Sequence, residues 1–144
     1  MTKTDENVLN AWVRMLMAVN SEKRISGMTF NEAVICHLLY RNPEHTLTAA
    51  QLCRFTNMQK SLMNRTLTCM EEKHLIKRTK SDTDKRKILI TLNMDVSFSS
   101  MHEDVLGFVG NILAQLNPTE VQEAVHIFNR VAEIAGKETL LFAF

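Results

Sequence analysis

Apolar residues recur at helical spacing near the amino terminus of this 144-residue chain and again over its last third. Residues 5–20 are predicted to form an amphipathic helix with an apolar stripe of Val8, Leu9, Trp12, Val13, Leu16 and Val19. The same spacing predicts a helix over residues 97–116. Another is expected to start with Thr119 as N-cap and to run to Gly136, because the Asn117–Pro118 pair interrupts the pattern.

Two further helices are indicated by their starting residues. Thr29 is followed three residues later by Glu32, which is the capping-box pattern. This helix is expected to end near Arg41, because Pro43 disfavours helical geometry in the residue before it. Thr48 is expected to begin a third helix. Both starting signals are local and do not depend on the rest of the fold.

The pattern changes after a fourth helix, which is predicted from about residue 58 to residue 73. Two runs rich in β-branched and aliphatic residues follow, Leu75–Thr79 and Lys87–Leu92, and a polar turn joins them. The predicted fold is therefore mainly α with a small β-hairpin, in a chain of single-domain length. No apolar stretch approaches the ~20 residues that a membrane-spanning helix needs.

The third and fourth helices, joined by a short turn at Phe55–Asn57, have the order of a helix-turn-helix. In that motif the start of the second helix lies nearest the base edges in the major groove of DNA. Amides pair with adenine, Arg or Lys with guanine, and Ser with either. Side chains of these types stand at Gln59, Lys60, Ser61, Asn64 and Arg65. The alternative is a polar helix face that is merely solvated.

The distribution of charge favours a polyanionic partner. Residues 1–53 contain five basic and five acidic side chains, residues 54–91 contain ten and four, and residues 92–144 contain two and seven. The overall net charge of +1 therefore conceals a net charge of +6 in the segment that contains the helix-turn-helix and the hairpin. Positive charge concentrated in this way is expected at a nucleic-acid interface.

The hairpin turn contains three consecutive basic residues, Lys85, Arg86 and Lys87. A β-hairpin beside a helix-turn-helix is a wing, and the negative potential of a narrow minor groove attracts an inserted arginine. We predict that Arg86 enters the groove and that the two lysines contact phosphates. Asp84 would be repelled by phosphates, so we expect it to orient the Arg86 guanidinium through a charge-assisted hydrogen bond.

These features resemble the MarR family of winged-helix transcriptional regulators over nearly the whole chain. The most specific parts are Leu47–Arg78 and the wing segment Asp82–Arg86. Within the wing, Asp84 and Arg86 match the family's Asp-x-Arg motif. The motif alone is weak, but its position after this pair of helices makes the resemblance specific.

The resemblance implies one MarR-like domain, residues 1–144, with a winged helix-turn-helix module at residues 29–96. Residues 1–28 and 97–144 would form dimerisation helices, and the apolar end Leu140–Phe144 agrees with a buried interface. The implied protein is a cytoplasmic homodimeric repressor on pseudo-palindromic double-stranded DNA, released by a small aromatic or phenolic effector whose binding residues the sequence does not identify. The expected DNA-contacting residues are Thr48, Gln59, Lys60, Ser61, Asn64, Arg65, Lys80, Asp84, Lys85, Arg86 and Lys87.

Two residues depart from the family pattern at positions where glycine is usual. His74 follows the recognition helix, where glycine permits a left-handed C-cap, and Lys87 follows the wing arginine. Neither change removes a group expected to contact DNA. Both affect the geometry of the wing and therefore the preferred operator.

Other functions are less well supported by the sequence. Ser, His and acidic residues lie together in Ser97–Asp104, but catalytic groups are usually assembled from separate elements, so no enzyme is expected. The Cys and His residues lack chelating spacing, so neither a metal nor a cofactor is expected. Three cysteines without a secretory signal indicate a reducing, cytoplasmic setting, in which Cys69 is the candidate for a thiol-oxidation response. A winged helix with a purely architectural or protein-binding role is the remaining alternative.

Overall fold

A computed structural model describes residues 2–19, 27–95 and 110–139 of the chain. Its helices in these ranges are α1 (Lys3–Val19), α2 (Phe30–Arg41), α3 (Ala49–Thr56), α4 (Lys60–Glu72) and α5 (Pro118–Thr139), and residues 110–113 are also helical. The strands are β1 (Thr46–Thr48), β2 (Ile76–Lys80) and β3 (Ile88–Leu92). The predicted fold class is therefore confirmed. Most of the predicted helix at residues 97–116, and the apolar end of the chain, lie outside the described residues.

Reciprocal capping boxes begin α2 and α3. The Thr29 N–H donates to Glu32 Oε1 at 3.0 Å, and the Glu32 N–H donates to Thr29 Oγ1 at 3.2 Å. The same arrangement joins Thr48 and Gln51, with distances of 2.9 and 3.0 Å. Each box satisfies N–H groups that have no partner inside the helix. Both predicted starts are confirmed.

The predicted start of the last helix is wrong. Asn117, not Thr119, caps α5: its N–H donates to Glu120 Oε1 at 3.1 Å, and its Oδ1 accepts from the Glu120 N–H at 2.8 Å. Pro118 is then the first residue of the helix. Proline suits that position because its ring fixes a helical φ and the missing N–H would have no partner there.

The sheet has three antiparallel strands in the order β1-β3-β2, whereas the sequence predicted only the two strands of the hairpin. β1 pairs Leu47 with Ile90, and β2 pairs Arg78 with the same Ile90. The hydroxyl groups of Thr46 and Thr91 are 3.0 Å apart across the β1–β3 pair. The wing hairpin is therefore anchored at its base by a third strand that leads directly into α3.

The buried apolar core of the described residues lies entirely within residues 28–92. It draws on α2, α3, α4 and all three strands, so the winged module has its own hydrophobic core. Its members are Met28, Ile35, Cys36, Leu39, Leu47, Leu52, Met63, Leu67, Met70, Leu75, Ile76, Ile90 and Leu92.

The terminal helices expose their apolar side chains. Trp12 in α1 is 44% exposed, and Phe128 in α5 is 56% exposed. The apolar stripe predicted for residues 5–20 is thus present on α1 but is not covered by any described part of the same chain. None of the described helices combines the length and the apolarity needed to cross a membrane.

Candidate nucleic-acid interface

One face of α4 is held in the core and the opposite face is open. Met63, Leu67 and Met70 are at most 1% exposed and fix the rotation of the helix. Residues spaced three or four apart lie on one side of a helix, so the outward face is formed by the exposed residues Ser61, Arg65, Thr68 and Glu72. Thr66, beside this core face, is half-buried, and its hydroxyl donates to the Leu62 carbonyl at 2.8 Å.

Charge is divided along α4. Lys60 and Arg65 lie in its first half, whereas Glu71 and Glu72 end it. A polyanion is therefore attracted to the start of this helix and repelled from its end. This polarity agrees with a docking mode in which the first turns of a recognition helix approach the bases.

The turn between α3 and α4 is formed by residues 57–59. Asn57 ends α3 in a left-handed conformation with φ of 57°, and Gln59 is the N-cap of α4. The helix therefore begins two residues later than predicted, and Gln59 precedes it instead of lying on its surface. The Gln59 side chain makes no capping hydrogen bond, so its amide is available to a ligand.

Arg78 in β2 joins the wing to α4. Its Nη2 donates to Glu71 Oε1 at 3.0 Å and to Thr68 Oγ1 at 3.2 Å, and its Nε donates to the same Glu71 oxygen at 3.3 Å. The hydrogen bond from the Arg78 side chain is the main reason why the pKa of the Glu71 carboxyl lies below its ordinary value. The base of the wing is thus fixed to the helix that it accompanies.

A partly buried ion pair connects the end of α4 to the start of α2. Nζ of Lys73 is 2.7 and 3.0 Å from the two carboxylate oxygens of Glu32 and donates to the Gly27 carbonyl at 3.0 Å. Glu32 is only 2% exposed, and its carboxylate also accepts the Thr29 N–H. A buried carboxylate with these donors is compensated in charge and in hydrogen bonding, so the pair fixes the relative position of the two helices.

The predicted hydrogen bond between Asp84 and Arg86 is present in the wing turn, which we define as residues Ser81–Lys87. Asp84 Oδ1 accepts from Arg86 Nε at 3.3 Å and from the Arg86 backbone N–H at 3.0 Å. The Arg86 side chain is 92% exposed. The carboxylate therefore holds the inner part of the guanidinium group, and the outer part faces solvent.

His74 and Lys87, which stand where glycine is usual, differ in backbone conformation. His74 adopts φ of 60°, the left-handed conformation that glycine takes at a helix C-terminus. Lys87 is not among the described residues with positive φ, so its side chain enters the wing turn without backbone strain. The left-handed cap is thus retained despite the histidine, and the wing turn does not require glycine at position 87.

The remaining predicted contact residues lie on the surface of the module. Thr48 is half-buried, and it pairs with Leu89, which on its other side pairs with Thr79 of β2. Two strand spacings, about 10 Å, therefore separate Thr48 from Thr79. Eight predicted contact residues have exposed side chains with no hydrogen-bond or ion-pair partner among the described residues: Gln59, Lys60, Ser61, Asn64, Arg65, Lys80, Lys85 and Lys87.

The three cysteines differ in accessibility. Cys36 is buried, Cys53 is half-buried and Cys69 is exposed on α4. Burial, assisted by the nearby Glu32 carboxylate, raises the pKa of the Cys36 thiol to about 12. Cys36 is therefore not an activated thiol, since thiolate is the reactive form.

A helix-turn-helix followed by a hairpin that is fixed to its second helix defines a winged helix-turn-helix protein. The model of the MarR family matches residues 26–87, which contain the helix-turn-helix, β2 and the wing turn but end before β3. Residues 26–87 of this chain are therefore similar to the winged-helix module of the MarR family. No curated protein sequence matches the chain significantly.

Solved structures extend the similarity in fold to most of the chain. The DNA complex of Sco3205, a MarR family transcriptional regulator from Streptomyces coelicolor, has a TM-score of 0.75 at 18% identity and covers 92% of this chain and 88% of its own. BpsR from Bordetella bronchiseptica, whose DNA binding is regulated by 6-hydroxynicotinic acid, has a TM-score of 0.68 at 16% identity, covering 90% and 99%. The organohalide-sensing regulator RdhR, bound to 2,4-dichlorophenol, has a TM-score of 0.75 at 15% identity, covering 92% and 82%.

Proposed function

We propose that this chain is a cytoplasmic, homodimeric transcriptional regulator that binds double-stranded DNA in a sequence-specific manner. It acts as a repressor that a small aromatic or phenolic molecule releases from DNA. The observation that carries the proposal is the set of exposed, unpartnered basic side chains on the start of α4 and on the wing turn. They lie in the segment with a net charge of +6.

In this proposal the first half of α4 enters the major groove. Arg65 and Ser61 lie on the outward face of the helix, where they can reach base edges, and Gln59 and Asn64 offer amides that suit adenine. Acidic residues at the end of α4 keep that end away from the phosphates. Specificity therefore depends on residues 59–65.

The wing turn contacts the neighbouring minor groove. The outer guanidinium nitrogens of Arg86 enter the groove while Asp84 holds Nε. Lys80, Lys85 and Lys87 bind phosphates and supply affinity without reading sequence. The Thr48 hydroxyl oxygen already accepts the Gln51 N–H, so a phosphate contact from Thr48 uses its hydroxyl hydrogen.

The exposed apolar surfaces of α1 and α5 support the homodimer. Contiguous apolar side chains of this kind are costly to leave in water and usually mark an interface. A two-fold axis through such an interface presents two copies of α4 to a pseudo-palindromic site. Each copy then contacts one half of the operator.

The nature of the effector is proposed from two structures of the same fold. The molecules associated with BpsR and RdhR, 6-hydroxynicotinic acid and 2,4-dichlorophenol, are both small hydroxylated aromatic rings. A screen of such compounds should find one that raises the Tm of the wild-type protein and lowers its affinity for DNA. A compound that raises Tm without weakening DNA binding would not be the releasing effector.

A second trigger is favoured by one observation, the exposure of Cys69 on α4. Oxidation there would alter the surface that faces DNA in this proposal. Peroxide treatment of wild type and of Cys69→Ser separates the two triggers: loss of DNA binding in wild type alone supports thiol control. Equal binding before and after treatment supports release by a ligand only.

Binding of duplex DNA, followed by fluorescence anisotropy over a series of salt concentrations, tests the proposal. Wild type should lose affinity steeply as salt rises, because binding to phosphates releases counterions. Arg65→Ala and Arg86→Ala should each weaken binding by about tenfold, in line with about 1–3 kcal/mol for a base contact.

Arg130→Ala, which removes an exposed arginine of α5, is the matched control and should bind like wild type. Equal affinity of the Arg65, Arg86 and Arg130 variants would contradict the proposed interface. A purely architectural winged helix would bind DNA with no preference among sequences.

A further inference from the structure

The wing turn is built around the hydroxyl group of Ser81. Ser81 is 9% exposed, although it lies in the most polar part of the hairpin. Its Oγ accepts the backbone N–H groups of Thr83 at 3.3 Å and of Asp84 at 3.4 Å, and it is 3.1 Å from Thr83 Oγ1. A buried serine hydroxyl that accepts N–H groups two and three residues ahead fixes a turn through side-chain hydrogen bonds.

The same turn is closed by two backbone hydrogen bonds. The Ser81 N–H donates to the Lys87 carbonyl at 3.0 Å, and the Lys87 N–H donates to the Asp84 carbonyl at 2.9 Å. Asp84 is therefore held by its N–H to Ser81 and by its carbonyl to Lys87. The position of its carboxylate follows from a backbone that is fixed on both sides.

The carboxylate of Asp84 in turn orients Arg86. Oδ1 accepts both the N–H and Nε of Arg86, so this one oxygen sets the backbone and the side chain of the arginine. The exposed side chain has no other hydrogen-bond or ion-pair partner among the described residues. An exposed arginine loses considerable side-chain entropy when it is ordered, so a contact that orders it before binding reduces the cost of binding.

We propose that Ser81 is a positioning residue for DNA binding: its buried hydroxyl holds Asp84 so that Asp84 aims the Arg86 guanidinium group outward. The contacts of Ser81 are observed in the structure, and only their consequence for DNA binding rests on the proposed function. Ser81 does not contact DNA and acts only through Arg86. The wing is consequently ordered before the DNA arrives.

A double-mutant cycle tests this inference. Ser81→Ala should weaken operator binding by about fivefold, the effect of one net hydrogen bond. In the Arg86→Ala background the same substitution should have no further effect, because the residue on which it acts is gone. Equal effects of Ser81→Ala in both backgrounds would overturn the inference.

Two further variants separate positioning from simple loss of structure. Ser81→Asn keeps a side-chain oxygen that can accept the same N–H groups, so it should restore near wild-type affinity. Thr83→Ala removes the neighbouring hydroxyl but leaves both N–H contacts to Ser81, and it should bind like wild type. If Ser81→Asn binds DNA as weakly as Ser81→Ala, the role of Ser81 as a hydrogen-bond acceptor is wrong.

Nuclear magnetic resonance of the free protein gives a readout that does not require DNA. The Nε–H signal of Arg86 should be visible and slow to exchange in wild type and Ser81→Asn, and broadened in Ser81→Ala. An unchanged signal in Ser81→Ala would overturn the inference. If the wild-type protein shows the expected signals but does not bind duplex DNA, the proposed function is contradicted. The positioning contact is then still supported.

Discussion

The winged module buries its apolar side chains, whereas the terminal helices expose theirs. In the module, thirteen apolar residues are buried, and eleven of them come from three helices and three strands. In α1 and α5, large apolar side chains such as Trp12, Leu16 and Phe128 are between 43% and 56% exposed. The module therefore has the internal packing of a folded unit, whereas the terminal helices have an apolar surface that no described residue of the same chain covers.

This difference assigns separate tasks to the two regions. Stability of the module depends on contacts within one chain and should not vary with protein concentration. In the proposed homodimer, stability of the terminal helices depends on association and should rise with concentration by mass action. The four predictions that follow separate the two regions, in order of decreasing effect.

The largest effect is expected from a cavity in the module. Leu67, which is 1% exposed, contacts the core from α4, and Leu67→Ala should lower the free energy of unfolding by about 3 kcal/mol. Leu62→Ala, in the same helix but 36% exposed, is the matched control and should cost less than about 0.5 kcal/mol. Urea unfolding measures both, and similar losses would mean that α4 is not packed by the face described.

The next largest effect is a loss of dimer affinity, which we expect from a change in a terminal helix. Phe128→Ser should weaken homodimerisation by about 2 kcal/mol, or about 30-fold in Kd, because large aromatic residues dominate association energies. Sedimentation equilibrium measures the change, and Gln122→Ser on the same helix is the control. A wild-type protein that sediments as a monomer at all concentrations would remove the distinction between the two regions.

The ion pair between α2 and α4 should matter within the module. Lys73→Met leaves the Glu32 carboxylate buried without its partner and should lower stability by about 2 kcal/mol, less than for a fully buried pair because the lysine is partly exposed. Lys77→Met, an exposed lysine of β2, is the control. Thermal unfolding should show the loss at every protein concentration, and equal stability of the two variants would refute this role of the pair.

The smallest effect concerns the contact between Arg78 and Glu71. Because the pKa of Glu71 is lowered in the folded chain, its contribution to stability is present above the ordinary value of 4.5 and is lost as pH falls through the lower folded value. Glu71→Gln should therefore flatten the dependence of Tm on pH below 4.5. Glu72→Gln changes the adjacent exposed carboxylate and should keep the wild-type profile; a matching profile in Glu71→Gln would argue against the contact.

Local signals in the sequence predicted much of the fold. The boxes at Thr29 and Thr48 depend on residues three apart, and the hairpin depends on alternating β-branched residues, so both are visible along the chain. β1 was missed because three residues are too few to show alternation. The sequence predicts Thr119 as the cap because threonine is a good capping residue, but the helix starts one residue earlier, at Pro118.

The contacts that hold the candidate interface in place are harder to predict from the sequence. Lys73 and Glu32 are 41 residues apart in the chain, and no local pattern joins them. The capping box indicated where Glu32 lies but not that its carboxylate is buried against a lysine. In the sequence, Ser81 cannot be distinguished from other turn serines, because only the structure shows that it is buried. The Asp84–Arg86 contact was predicted because a motif of three residues contains both partners.

Enrichment of operators from a random pool of duplex DNA by the wild-type protein tests the central claim most directly. If two winged modules are joined through α1 and α5 and read DNA with α4 and the wing, the enriched sequences should share an inverted repeat. Its half-sites should lie about one helical turn apart. A folded protein that enriches no sequence, or only an unpaired half-site, would contradict the account.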